Sequence, residues 1–278
     1  MREEFFFDGE ERGGTSCLLA PRRFADGIEV VLVTQGTVTV SGALIRFEAC
    51  QGELFFMPPD MVRMVVAKGG YAAVRAIRFS ASPFMNMGES IDGDLFYMFL
   101  IQARTRHYRI LPTSPLYTPV LRYFENCYGE HLSKELCYGL RIRGQLSMMM
   151  ALILASYSTT TKENDRMVYH NVLRLRPVLE YIDAHYQEKI SVPQLAEYLM
   201  VTPDYFTKLF RDSIGKTTVD YINSVRVNRS MVLLLEEDLP VSEIATEVGL
   251  VSGNYFSKLF RKTMDITPLA YRKLGQHL

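Results

Sequence analysis

The heptapeptide YFTKLFR at Tyr205–Arg211 is written again as YFSKLFR at Tyr255–Arg261, with six of seven letters unchanged. Self-similarity of this kind implies two equivalent structural units in one chain. On a helix, Tyr205, Phe206, Leu209 and Phe210 fall on one stripe, as do Tyr255, Phe256, Leu259 and Phe260. The spacing predicts that these side chains, tyrosines included, face a small core. The opposite face carries Asp204, Thr207, Lys208 and Arg211 in the first copy and Asn254, Ser257, Lys258 and Arg261 in the second. Most polar helix faces are merely solvated. Two of them at repeated positions, built from small, polar and cationic groups, suit entry into a nucleic-acid groove.

The repeat extends upstream. Leu195, Ala196 and Leu199 correspond to Ile244, Ala245 and Val248, and the second copy has one extra residue near Gly249–Gly253. Each unit reads as short helix, tight turn, second helix. Ser191 and Ser242 are expected N-caps of the first helices, Thr202-Pro203 and Ser252 those of the second. Gly249 supplies the positive φ that a tight turn requires. This is a helix-turn-helix arrangement, with a helix over about residues 219–235 joining the two units. Two recognition helices held on one face reach successive major grooves about 34 Å apart.

Composition adds limits. The 278 residues, 48% hydrophobic and 22% charged, fit a soluble globular chain of about two domains. Formal net charge is zero, and residues 170–278 alone hold 13 basic and 13 acidic side chains, so bulk charge identifies no partner. Cys17, Cys50, Cys127 and Cys137 form no CxxC pair and no zinc-finger spacing. The most apolar stretch, 146–157, is too short to span a membrane, and the acidic N-terminus is unlike a secretory signal. A cytoplasmic location without membrane contact is expected. Val/Ile-rich runs broken by Gly42, Gly52, Pro58-Pro59 and Gly69-Gly70 predict short strands up to Phe79. Helical spacing follows over 115–130 and 133–157, with Leu136, Leu140, Leu146, Met149 and Ile153 on one side. The polar segment from Ser158 reads as a linker. The predicted domains are 1–157, a linker at 158–169, and 170–278.

At the duplicated stretch the chain resembles the arabinose-operon regulator (AraC/XylS) family of transcription factors. The motifs are YIDAHYQEKISVPQLAEYLMVTPDYFTKLFRDSIG, DYINSVRVNRSMVLLLE and VSEIATEVGLVSGNYFSKLFRKTMDITPLAYRK. The resemblance implies an α+β chain: an N-terminal cupin-like β-barrel with dimer helices, then an all-α domain of two helix-turn-helix motifs joined by a linker helix. It implies a DNA-binding regulator, not an enzyme, more often an activator. Its partners would be double-stranded DNA, RNA polymerase, a second copy of the chain, and an effector. By position, Asp204, Thr207, Lys208, Gly253, Asn254, Ser257 and Lys258 would read bases, and Arg211, Arg226, Arg261 and Lys262 would hold phosphates. Thr217-Thr218 departs from the family's Ser/Thr-Pro, which Thr267-Pro268 keeps.

The N-terminal segment resembles the family's sensor domain more loosely, through GELFFMPPDMVRMV at 52–65. Arg63 stands where a metal-binding cupin places histidine, and no histidine precedes His107. A metal-dependent cupin enzyme therefore lacks its ligands, and neither metal nor cofactor is expected. His107, His131, His170 and His185 have no catalytic spacing. Arg46, Arg63, Arg75 and Arg78 lie on predicted strands. If two or more point inward, with Tyr71 beside them, they form a pocket for an anionic effector. The alternative is an N-terminal domain that binds a protein.

Overall fold

The computed structural model describes residues 6–19, 27–59, 61–85, 91–106, 108–160 and 163–276. Among the described residues up to 110 there are nine strands: β1 Phe7–Gly14, β2 Cys17–Leu19, β3 Gly27–Gln35, β4 Thr37–Gly42, β5 Arg46–Cys50, β6 Leu54–Met57, β7 Arg63–Ala67, β8 Ala72–Ser80 and β9 Tyr108–Ile110. They form two antiparallel sheets, ordered β1-β8-β3-β6-β9 and β2-β7-β4-β5. His107 lies outside the described residues.

Strand β3 shows how the layers arise. Its side chains alternate between faces. Val31 and Val33 point to the second sheet and join Val38, Val40, Phe55, Val65 and Val74. Ile28, Val30 and Leu32 point the other way, towards a helical layer. That layer is α2 (Ile91–Arg106), α3 (Tyr117–Ser133) and α4 (Tyr138–Thr160), after the short α1 (Ser82–Met85). Helix α2 carries no readable period, because it is apolar on two faces. Phe96, Phe99, Leu100 and Ala103 pack on the sheet, while Met98 and Ile101 join the core of the C-terminal domain.

On α4, Leu146, Met149, Met150 and Ile153 are buried, but Leu140 is 71% exposed and Leu136, before the helix, is 89% exposed. The expected single apolar side therefore divides. Its later residues cover the sheet, and its first two stand in solvent with Leu132 and Met148. Residues 158–169, read as a linker, contain the end of α4 and the start of α5 (Glu163–His185), with 161–162 outside the described residues.

The C-terminal domain continues with α6 (Val192–Tyr198), α7 (Pro203–Ile214), α8 (Thr218–Glu236), α9 (Val241–Glu247), α10 (Gly253–Met264) and α11 (Pro268–Gln276). Each unit is built on the same aromatic ladder. Phe206, Phe210 and Tyr221 pack ring against ring at 5.7 Å (tilted) and 5.6 Å (edge to face), and Phe256, Phe260 and Tyr271 pack edge to face at 5.6 and 5.4 Å. Caps repeat as well. Ser191 caps α6, Thr202 caps α7 and Ser252 caps α10, each accepting a backbone N–H two positions into its helix or more. Ser242 does not cap α9. Pro240 occupies the cap position, with no side-chain bond, and Ser242 lies inside the helix.

The turns align residue for residue up to one point. Met200 and Gly249 are both left-handed, at φ 56° and 76°. Val201 and Leu250 then donate backbone bonds to Ala196 and Ala245. The additional residue of the second copy is Val251, which is fully exposed and so loops out at no packing cost. The helix ends repeat this pairing with the letters exchanged. Gly215 and Asp265 are the left-handed C-caps of α7 and α10, at φ 77° and 61°.

Candidate nucleic-acid interface

The second helix of each unit presents one face to solvent. On α7, Asp204, Thr207, Lys208 and Arg211 are exposed, and with Asp212 they line an open groove of about 570 Å³. On α10, Asn254, Lys258, Arg261 and Lys262 are exposed, with Gly253 and Ser257 half-buried. Among the described residues, Lys208, Arg211, Lys258, Arg261 and Lys262 form no ion pair with a carboxylate. Their charge is therefore available to an external anion. The neutral domain is locally uneven, since Glu236, Glu237, Asp238, Glu243 and Glu247 cluster around α9.

Two base-reading candidates are constrained by the helices themselves. The Thr207 hydroxyl donates to the Pro203 carbonyl at 2.8 Å, so its oxygen is left as an acceptor. Gly253 lies where α9 approaches α10. A Cβ there would sit 3.3 Å from Ser242 Cα, so its smallness serves packing between the two helices.

Arg226 is a correction. Its guanidinium donates to the Tyr186 and Glu188 carbonyls, each at 2.7 Å, and burial lowers its pKa. It ties α8 to the loop before α6 instead of facing a phosphate. A helical wheel cannot reveal this, because the acceptors lie about forty residues away in sequence.

Tyr205 and Tyr255 are a second correction. They are 47% and 49% exposed, not core. Arg174 donates to the Tyr205 hydroxyl at 3.3 Å and lies over its ring, and Asn223 donates to the Tyr255 hydroxyl at 3.4 Å. Both tyrosines border the cationic faces and present a hydroxyl at the same place in each unit. Their repetition was visible in the sequence, but the stripe assigned them to the wrong side.

The N-terminal arginines do not gather around one pocket. Arg63 and Arg78 do point between the sheets, 2% and 1% exposed, but the anion they meet there belongs to the chain. Glu29 accepts from Arg63 at one oxygen and from Arg78 at the other, the latter at 2.7 Å. Asp8 and Glu10 also pair with Arg78, whose pKa burial still lowers, against the opposing pull of Asp8. Arg75 pairs with Glu11 and Glu125 near the surface. Tyr71 is 54% exposed. Arg46 borders a cleft of about 580 Å³ between the two domains. Among the described residues no group of three His, Cys, Asp or Glu is placed to hold a metal ion.

Comparison with known proteins fits this geometry. Residues 195–274 match the model of a helix-turn-helix domain family. The chain carries an AraC-type helix-turn-helix domain. YdeC of Bacillus subtilis, an HTH-type transcriptional regulator, is 22% identical over 92% of this chain and 87% of its own length. The regulatory protein PocR of Salmonella typhimurium is 33% identical, over 36% of this chain and a 33% share of PocR. The whole fold resembles that of ToxT from Vibrio cholerae, solved with an unsaturated fatty acid bound. The TM-score is 0.56 at 14% identity, covering 100% of this chain and 99% of that one. The AraC-type part of the chain thus has relatives among regulators, and the N-terminal sheets share an architecture with ToxT.

Proposed function

We propose that the chain is a sequence-specific DNA-binding transcription regulator that reads two half-sites with α7 and α10. The observation that carries this reading is the repetition of a capped helix with a solvent-facing cationic side in both units. Lys208 and Lys258 reach base edges, and Asp204, Thr207, Asn254 and Ser257 discriminate around them. Arg211, Arg261 and Lys262 hold phosphates, as Tyr205 and Tyr255 do through their hydroxyls. The test is selection of bound duplexes from a randomised pool, followed by titration across salt. A specific site whose affinity falls steeply with salt is expected. Binding that is indifferent to salt refutes the assignment of the cationic faces.

Activation, contact with RNA polymerase and a homodimer through α3 and α4 belong to the same reading, supported by the family resemblance and by the exposed Leu132, Leu136, Leu140 and Met148. Effector control is its last part. The interdomain cleft has Arg46, Arg211, Lys216 and Lys262 on its walls, so an anionic small molecule suits it better than the sheet interior, where Glu29, Asp8 and Glu10 already pair with Arg63 and Arg78. A rise in melting temperature with a fatty carboxylate, absent with the corresponding alcohol, is the expected result.

A further inference from the structure

The two helix-turn-helix units touch directly along one side. There the Gly249 turn lies so close to Gln187 that a Cβ would stand 2.3 Å from the Gln187 carbonyl oxygen. Arg226 fastens the same loop through Tyr186 and Glu188. On another side the units are parted by the interdomain cleft. Lys216 and Asp220 form the wall from the first unit, Leu259 and Lys262 the wall from the second.

The turn between β4 and β5 of the N-terminal domain spans this opening. The Leu44 carbonyl accepts from Lys216 Nζ at 2.9 Å, in the first unit. Two residues on, Arg46 forms an ion pair with Asp265, the C-cap of α10 in the second. The same side of the N-terminal domain is anchored on α8, where the buried Asn228 side chain accepts the Val62 N–H at 3.0 Å. Ala43 and Val62 are packed into the second unit's core beside Val227, Met231 and Tyr271. One short turn thus holds the ends of both recognition helices.

We propose that the β4–β5 turn is a clasp that fixes the distance and angle between α7 and α10, which makes Arg46 and Asp265 determinants of the operator spacing the chain accepts. This rests on the reading of the two helices as DNA-reading elements. The side that touches is packed backbone against backbone and cannot open by small steps. The clasped side is held at its far end by a pair of side chains 50% and 58% exposed, a contact that water and salt weaken. Ala43 and Val62 stay packed in the second unit's core when that pair opens, so its loss loosens the angle between the units about the loop at Gln187 without parting them. One added base pair turns the next major groove by roughly 35° and moves it by about 3.4 Å, so a fixed pair of helices follows such a change poorly.

The experiment uses the full-length chain and operators it selects from a randomised pool. One base pair is inserted or removed between the half-sites, and affinities are compared within each protein, so that any general loss of charge cancels. Wild type is expected to lose tenfold or more at either altered spacing. Arg46→Glu and Asp265→Arg each lose threefold or less, and the double exchange Arg46→Asp with Asp265→Arg returns the strict profile. Single variants as strict as wild type overturn the clasp. So does a double exchange that stays permissive. A wild type that enriches no sequence overturns the DNA reading beneath it, a separate result from either. The pair is exposed, but Asp265 holds φ 61° at the C-cap of α10, so a thermal melt of each variant measures what arginine costs there.

Discussion

Gly249→Ala is the substitution whose cost the structure defines most closely. Gly249 has φ 76°, where an alanine loses about 1–2 kcal/mol against its preferred regions. The new Cβ would lie 2.3 Å from the Gln187 oxygen, 2.7 Å from its carbonyl carbon and 2.9 Å from its Cα. Those are backbone atoms and cannot rotate away, so overlap adds about 1–3 kcal/mol. Alanine returns about 0.4–1 kcal/mol by restricting the unfolded chain. The net loss is about 3 kcal/mol, or roughly 6–12 °C in melting temperature for a chain near this size. Met200→Gly is the matched control. Met200 occupies the equivalent turn position at φ 56°, with its side chain 94% exposed. Glycine there relieves about 1–2 kcal/mol of conformational cost and forfeits about 0.5–1 kcal/mol of unfolded-state entropy. That variant should melt at or slightly above wild type. Calorimetry of both measures the difference, and hydrogen exchange at residues 186–190 locates it. A Gly249→Ala protein within 2 °C of wild type refutes the claim that the units meet backbone to backbone at this turn.

Lys208→Ala and Lys258→Ala should each weaken operator binding by about 1–3 kcal/mol and relax the preference at one base in their own half-site, read by competition with mutated duplexes. Glu29→Gln removes the buried carboxylate that Arg63 and Arg78 share and should cost about 3–5 kcal/mol in denaturant unfolding, whereas a surface pair such as Lys68–Glu48 should cost under about 1 kcal/mol. Burial, with Glu130 adding to it, raises the Cys127 thiol to about 12. It stays protonated in the fold while an unfolded thiol ionises, so the folded state loses stability as pH rises from the ordinary thiol range towards 12. Alkylation mapped by mass spectrometry at pH 8 should therefore mark the exposed Cys50 and Cys137 and spare Cys127. Burial lowers the Lys216 pKa, against a smaller opposing effect of Asp220. Its ammonium is thus disfavoured in the fold, and replacing it with methionine should flatten the rise in stability with pH below the usual lysine range.

The sequence determined the two repeated helix-turn-helix units of the C-terminal domain and most of their caps and turns. A repeated stripe, Thr202-Pro203, Ser252 and Gly249 are local signals, because a helix, its cap and its turn are each set within about four neighbours. The same locality explains the errors. A stripe wide enough to include Tyr205 and Tyr255 does not tell which edge of it meets the core. That edge is set by Arg174 and Asn223, which arrive from other helices. Helix α2 was illegible because a helix buried on two faces has no period to read.

Partnership across the chain was beyond the sequence altogether. The inward arginines were suspected, but only the packing of β1, β3, β7 and β8 brings Glu29 to Arg63 and Arg78, turning a candidate ligand site into an internal ion cluster. Arg226 was taken from a phosphate by carbonyls forty residues distant. The clasp depends on Arg46 reaching Asp265 from the other domain. Local periodicity and turn chemistry therefore determined that the chain has two equivalent helices suited to a groove. How far apart they are held is a matter of long-range contacts, which only the tertiary structure decides.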